Sequence, residues 1–306
     1  MSMRRLLVAA ALVPALATVL VGAGCGDGGE PVSAPSGSPS PSLSPVPPER
    51  PGPGDHSLTI DVGGVRRTYL LHAPPGYTGD APLPLVIAMH VYPGTGAGMR
   101  DLIRMDAKAD QQNFLVAYPN GLNSGFNALV CCGTADDVAF LTSLSRHLVD
   151  RWRADPDRVF LTGMSNGGDM SFRGAVEASD TFAAIGVVSG GYGGPRTEAT
   201  TYVPTRPVSV VTIIGTQDRY FSTFETGIAT WQQRLRCTPA AAPAPAPPVK
   251  RTVARCADGS DVDVYVVPDM GHVWPGTGGG QVSVPNAPMS ATDIVWDFFA
   301  AHPRKR

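Results

Sequence analysis

The pentapeptide Gly163-Met164-Ser165-Asn166-Gly167 holds one hydroxyl between two flanking glycines. It follows the apolar run Val159-Phe160-Leu161 and opens a segment of helical character, 167–176. A serine on such a strand-to-helix turn stands exposed on a sharp bend. Glycines two residues to either side leave room where strand and helix cross. The backbone N–H of Asn166, at the helix start, can then donate to the negative charge that develops on an attacked carbonyl. A hydroxyl is a poor nucleophile until a base takes its proton, and histidine does this near neutral pH. In an elbow of this kind the base follows the nucleophile along the chain. Of the six histidines, only His272 and His302 do so. His302 lies beside Pro303-Arg304-Lys305-Arg306, at an expected frayed end. His272 stands in Gly271-His272-Val273-Trp274-Pro275-Gly276, just past the apolar run 262–267. Asp218 ends Gly215-Thr216-Gln217-Asp218, just past the apolar run 208–214, and would orient the imidazole and stabilise its protonated form. Its rivals are Asp261 and Asp263, which share one expected solvated face of a strand, and Asp269, too near His272 to supply a separate loop. The chemistry expected is acyl transfer with Ser165 as nucleophile, Asp218 as acid and His272 as base. A second oxyanion donor is expected in His90-Val91-Tyr92-Pro93-Gly94, first from the N–H of Tyr92 and second from Val91. His90 itself is expected to be structural.

These residues need a scaffold that brings distant loops together. Apolar strand-like runs alternate with helical patterns from about residue 56 onward. A hairpin is predicted over 57–62 and 65–72 around Gly63-Gly64, and buried strands over 85–90 and 114–118. Helices are predicted over 98–112, over 136–152 with Asp136 and Asp137 at its start, and over 167–176. Strands follow at 158–164, 182–188, 208–214 and 262–267, and a closing helix at 291–301. Pro239–Pro248 reads as an extended surface loop. The alternation implies an α/β fold with a mainly parallel central sheet and helices on both faces. In such a sheet the chemistry gathers in loops at the carboxyl ends of the strands, where Ser165, Asp218 and His272 are all expected.

Composition sets the surroundings. The chain has 306 residues, 43% of them hydrophobic and 16% charged, with a net charge of −2. That supplies a sizeable core and gives no basic surface for nucleic acid. Residues 1–24 read as a signal peptide, with Arg4 and Arg5, an uncharged stretch and small residues at its end. Val21-Gly22-Ala23-Gly24-Cys25 resembles a bacterial lipoprotein signal, which makes Cys25 the expected lipidation site. Loss of 1–24 leaves 22 basic and 26 acidic residues, a net charge of −4. Residues 25–54 are rich in Ser, Pro and Gly and are expected to be a disordered linker, with the catalytic domain at 55–306. The expected protein is secreted, extracytoplasmic and lipid-anchored, a monomer that meets the membrane only through its anchor. In an oxidising compartment the other four cysteines can pair in three ways. A Cys237–Cys256 bond would close the Pro/Ala-rich loop, leaving Cys131 and Cys132 bonded to each other or as free thiols.

Taken together, these residues resemble a bacterial esterase family that includes polyhydroxybutyrate depolymerase-like lipoproteins and feruloyl esterases. The resemblance spans about residues 56–300. It rests on 163–168, Gly215-Thr216-x-Asp218, Gly271-His272-x-Trp274-Pro275-Gly276, Asn127, Cys131-Cys132-Gly133, 136–140 and the late Cys237/Cys256 pair. It implies an α/β-hydrolase fold and hydrolysis of small ester or oligoester substrates through an acyl-enzyme, with no cofactor and no metal. It also implies a substrate-binding rim position for Trp274. Tyr92, Phe126 and Tyr220 are further candidates for the acyl pocket. The chain departs from the family at Val91, where glycine is usual, and at Ile214, where histidine is usual. An acyltransferase could use the same three residues, and a tethered binding protein with a decayed site rests on Val91 alone.

Overall fold

The computed structural model describes residues 51–241, 243, 245, 247–278 and 281–304, all within the compact unit Glu49–Arg306. The leader 1–24, Cys25 and the linker as far as residue 50 lie outside the described residues. No helix among the described residues is long and apolar enough to cross a membrane.

The expected hairpin forms as β1 (Gly54–Val62) and β2 (Val65–Ala73), so the first strand includes Gly54, the last residue assigned to the linker. Then follow β3 (Leu83–Met89), α1 (Gly96–Ile103), α2 (Met105–Gln112), β4 (Leu115–Pro119), α3 (Asp137–Trp152), β5 (Ala154–Met164), α4 (Asn166–Glu177), β6 (Ala184–Val188), β7 (Ser209–Gly215) and α5 (Phe221–Arg234). The chain continues through β8 (Thr238–Ala240), β9 (Lys250–Arg255), β10 (Asp261–Val267), the short β11 (Trp274–Pro275) and β12 (Ser283–Val284), and α6 (Ala291–Ala301). Among the described residues ten strands make one sheet in the order β1-β2-β4-β3-β5-β6-β7-β10-β9-β8. From β4 to β10 the neighbours are parallel; β1, β2, β8 and β9 add antiparallel edges.

The central strands are apolar throughout because both their faces are covered. In β3, Leu85, Ile87 and Met89 join the core under α3, α4 and α5, while Val86 and Ala88 join the core under α1, α2 and α6. This is the two-residue alternation of a strand read on both faces.

Three expectations change. The single helix over 98–112 is two, broken at Arg104, which has φ 47°. The carbonyls of Leu102 and Ile103 accept hydrogen bonds from Thr277 and Thr292, at 3.1 and 2.7 Å, so the last turn of α1 is tied to the C-terminal region. The helix α5 was not expected: its buried Phe224, Ile228 and Trp231, with Leu235 just past its end, carry the helical spacing, but Gly227 and four Ser/Thr residues weaken its propensity. The loop after Cys237 begins as an edge strand, β8, paired with β9; β9, between β8 and β10, has few buried residues and so no apolar run to mark it in the sequence.

Candidate active site

Ser165 lies at the end of β5 with φ 55° and ψ −121°, a left-handed backbone that a side chain adopts only under constraint. The constraint is the close approach of α4 to both β5 and β3. A Cβ on Gly163 would lie 2.4 Å from the Gly167 carbonyl carbon, and one on Gly167 would lie 2.2 Å from the Met89 oxygen. Ser165 N–H donates to Val188 O of β6 at 3.1 Å, which anchors the turn to the sheet. The serine is partly exposed, whereas Met164 and Asn166 on either side are buried.

Asp218 and His272 meet beyond the ends of β7 and β10, the adjacent parallel strands. His272 Nδ1 is 2.7 Å from Asp218 Oδ2, with the carboxylate side chain fully buried and the imidazole 24% exposed. The other Asp218 oxygen accepts the Tyr220 N–H at 2.9 Å. A carboxylate can only accept, so the proton sits on Nδ1 and Nε2 presents a lone pair. Their two loops are knitted together. Thr216 N–H donates to Val267 O, Gln217 N–H to Met270 O, and Asp269 N–H to the Thr216 hydroxyl.

The rival acids sit elsewhere. Asp263 is buried and paired with Arg251, so the solvated face expected for it is not found. Asp261 stands 3.2 Å from His302 Nε2. That histidine is not frayed: it ends α6, stacks on Phe298 and lies 2.7 Å from the Phe298 carbonyl. His90 is buried and structural. Gly121 N–H donates to its Nε2 at 3.0 Å, which places the other proton on Nδ1, 2.7 Å from Val91 O. Burial lowers the pKa of His90, in keeping with a neutral ring.

Trp274 requires a correction. It is fully buried and its indole N–H donates to Thr292 at 3.1 Å, so it props the His272 loop against α6 and touches no substrate. Phe126 is likewise buried. Tyr92 and Tyr220 are 51% and 42% exposed, and the Tyr220 ring meets His272 edge-on at 5.8 Å. Cys237 is bonded to Cys256, and Cys131 to Cys132. The first matches the pairing set out for it; of the two states open for the second pair, the bonded one is found.

Asp169 was missed. It lies four residues after Ser165 on α4, and accepts the Gly191 N–H at 2.8 Å. Burial, offset in part by that bond, raises its pKa from 3.8 to about 7. Between those values the folded state binds the extra proton, so stability is full at low pH and falls as pH rises toward 7. Asp169→Asn removes this slope while keeping the acceptor. Urea unfolding at pH 5 and pH 8 should show the wild type losing up to about 3 kcal/mol more than the variant. Equal slopes would show that Asp169 ionises freely.

Among the described residues, Asp55, His72 and Asp106 bring ligand-type atoms within 4.8 Å of one another. The Arg100 guanidinium already bonds both carboxylates there, so the cluster holds a protein cation where a metal would sit.

The family described as "Esterase PHB depolymerase" matches residues 67–203. A protein of Nocardia uniformis subsp. tsuyamanensis named "Putative esterase NocK" is 31% identical over 326 residues, covering 91% of this chain and 92% of its own. The chain belongs to this esterase family. The activity that follows is carboxylic ester hydrolysis. "Feruloyl esterase C" of Emericella nidulans is 32% identical over 142 residues, 44% of this chain and 51% of its own, so the chain spans about half of that relative. The acetyl xylan esterase from Aspergillus awamori superposes with a TM-score of 0.57 at 18% identity, over 72% of this chain and 94% of its own. That likeness shows the α/β-hydrolase fold.

Proposed function

We propose that this esterase is an extracytoplasmic serine hydrolase that forms an acyl-enzyme on Ser165. The observation that carries the reading is the positive-φ Ser165 on its elbow at the end of β5, together with a preformed His272–Asp218 pair beyond the ends of β7 and β10, parallel strands of the same sheet. His272 Nε2 takes the hydroxyl proton as Oγ attacks the ester carbonyl. Asp218 holds the imidazole in the required tautomer and stabilises the imidazolium. The backbone N–H groups of Asn166 and Tyr92 receive the oxyanion. His272 then gives its proton to the leaving alcohol, and a water repeats the sequence to release the acid. Val91, branched where the family usually has glycine, is half-buried and packs against the core under α1, α2 and α6.

The substrates proposed are small esters with apolar or aromatic acyl groups, feruloyl esters and hydroxyalkanoate oligomers among them. Tyr92, Val130 and Tyr220, three of the five large apolar side chains exposed among the described residues, stand on loops that build the site. The relative named feruloyl esterase supports an aromatic acyl group. Export is supported by two disulfides, bonds that persist in oxidising compartments. We assign the lipid anchor to Cys25 on the signal-like residues before it.

A fluorophosphonate probe should add one phosphonyl group to the peptide containing Ser165, and prior labelling should abolish turnover of methyl ferulate and of p-nitrophenyl butyrate. Labelling at another residue, or none on folded protein, would sink the assignment. Labelling of Ser165 in a protein that turns over no ester of the panel would favour acyl transfer to an acceptor other than water.

A further inference from the structure

We propose that segment 120–132, closed by the Cys131–Cys132 disulfide, is a positioning element that holds both backbone donors of the oxyanion hole in register. The proposal rests on the serine esterase reading and extends it to residues that touch no substrate.

The first link is the Asn166 side chain. Its buried carboxamide accepts the Phe126 N–H at 2.8 Å and donates to Phe126 O at 3.0 Å and Cys131 O at 3.1 Å. The residue whose N–H faces the oxyanion is thereby tied to a loop far upstream in sequence, with Cys131 Sγ also 4.0 Å from the same Nδ2. The second link is the other wall of the hole. Gly94 N–H donates to Ser124 O at 3.0 Å, and Gly121 N–H to His90 at 3.0 Å. The Tyr92 ring rests on Gly125, where a Cβ would lie 2.6 Å from the ring and 2.9 Å from Cys132 O.

The segment is itself fixed from behind. Asp137, in a buried pair with Arg67, accepts the Asn127 N–H at 2.7 Å, and Arg173 donates to the Asn127 carbonyl. Cys131 O also accepts the Ala128 N–H at 2.9 Å. This carbonyl belongs to the peptide bond enclosed in the ring that two neighbouring bonded cysteines form. Closing that ring limits where the carbonyl can point, and so where Asn166 is held. Cys131 is exposed, so a reductant can reach the bond. A dithiol such as dithiothreitol delivers two electrons and two protons, giving two cysteine thiols and its own cyclic disulfide.

Losing one oxyanion donor outright costs about 10²–10³ in kcat; loosening it should cost about tenfold. The test compares Cys131→Ser/Cys132→Ser with wild type on p-nitrophenyl butyrate, with a boronic acid as transition-state analogue. The expected result is a fall in kcat of about tenfold, KM within about twofold, and a boronate Ki raised about as much as kcat falls. Asn166→Ala should do the same, and combining the two should add little, because both cut one link. Dithiothreitol should reproduce the loss in folded wild type and in Cys237→Ser/Cys256→Ser, with thiols counted by mass, and should leave Cys131→Ser/Cys132→Ser unchanged. That arm carries the test if the double variant does not fold. Unchanged kcat and Ki on loss of the Cys131–Cys132 bond, even with a lowered melting temperature, would overturn the proposal and leave the bond a structural staple. Turnover surviving in Ser165→Ala would instead overturn the esterase reading on which it rests.

Discussion

Ser165→Ala should lower kcat for p-nitrophenyl butyrate by about 10⁶, the loss seen when a triad nucleophile is removed. No other hydroxyl replaces it, because the elbow presents this one side chain between β5 and α4 while its neighbours Met164 and Asn166 are buried. The fold should survive, since alanine keeps the Cβ and the same left-handed backbone. Ser165→Gly should be equally inactive yet more stable by about 1 kcal/mol, because glycine relieves the constraint at φ 55°. Activity within tenfold of wild type in either variant would end the assignment. Loss of stability in the glycine variant would show that the backbone there is held without strain.

Gly215→Ala should damage stability and activity together. A Cβ at this position would stand 2.1 Å from the Met270 oxygen and 2.6 Å from its carbonyl carbon. Those are backbone atoms of the loop that delivers His272, so they cannot swing aside as a flexible side chain would. Insertion forces the acid loop and the base loop apart. Overpacking of this kind costs about 1–3 kcal/mol or more. A misplacement near 1 Å costs about 10² in rate, and here it falls on the 2.7 Å bond between Asp218 and His272. Urea unfolding and kcat on the same preparation check both. An alanine variant with wild-type kcat would show that the loops accommodate the methyl without separating.

The sequence by itself reached much of this site because its signals are local. Glycines around Ser165, an apolar strand before it and a helix after it are all read within about twenty residues. Asp218 and His272 follow from chain order and from their place just past apolar runs. The paired order of strands and helices, hence the α/β class, is legible for the same reason: a strand buried on both faces must be apolar at every position.

What tertiary structure decided is whatever depends on contacts between distant segments. Trp274, beside His272 in sequence, turns inward because Thr292 of α6 accepts its indole proton. Arg104 breaks a helix that periodicity alone would continue, because threonines from the C-terminal region take the carbonyls of α1. Asp169 acquires its raised pKa only from the burial that packing imposes. The link from Asn166 to Cys131 joins residues 35 apart. Spacing reveals what neighbours along the chain can do; only the packed fold determines which distant groups are desolvated, satisfied or held within reach of the serine.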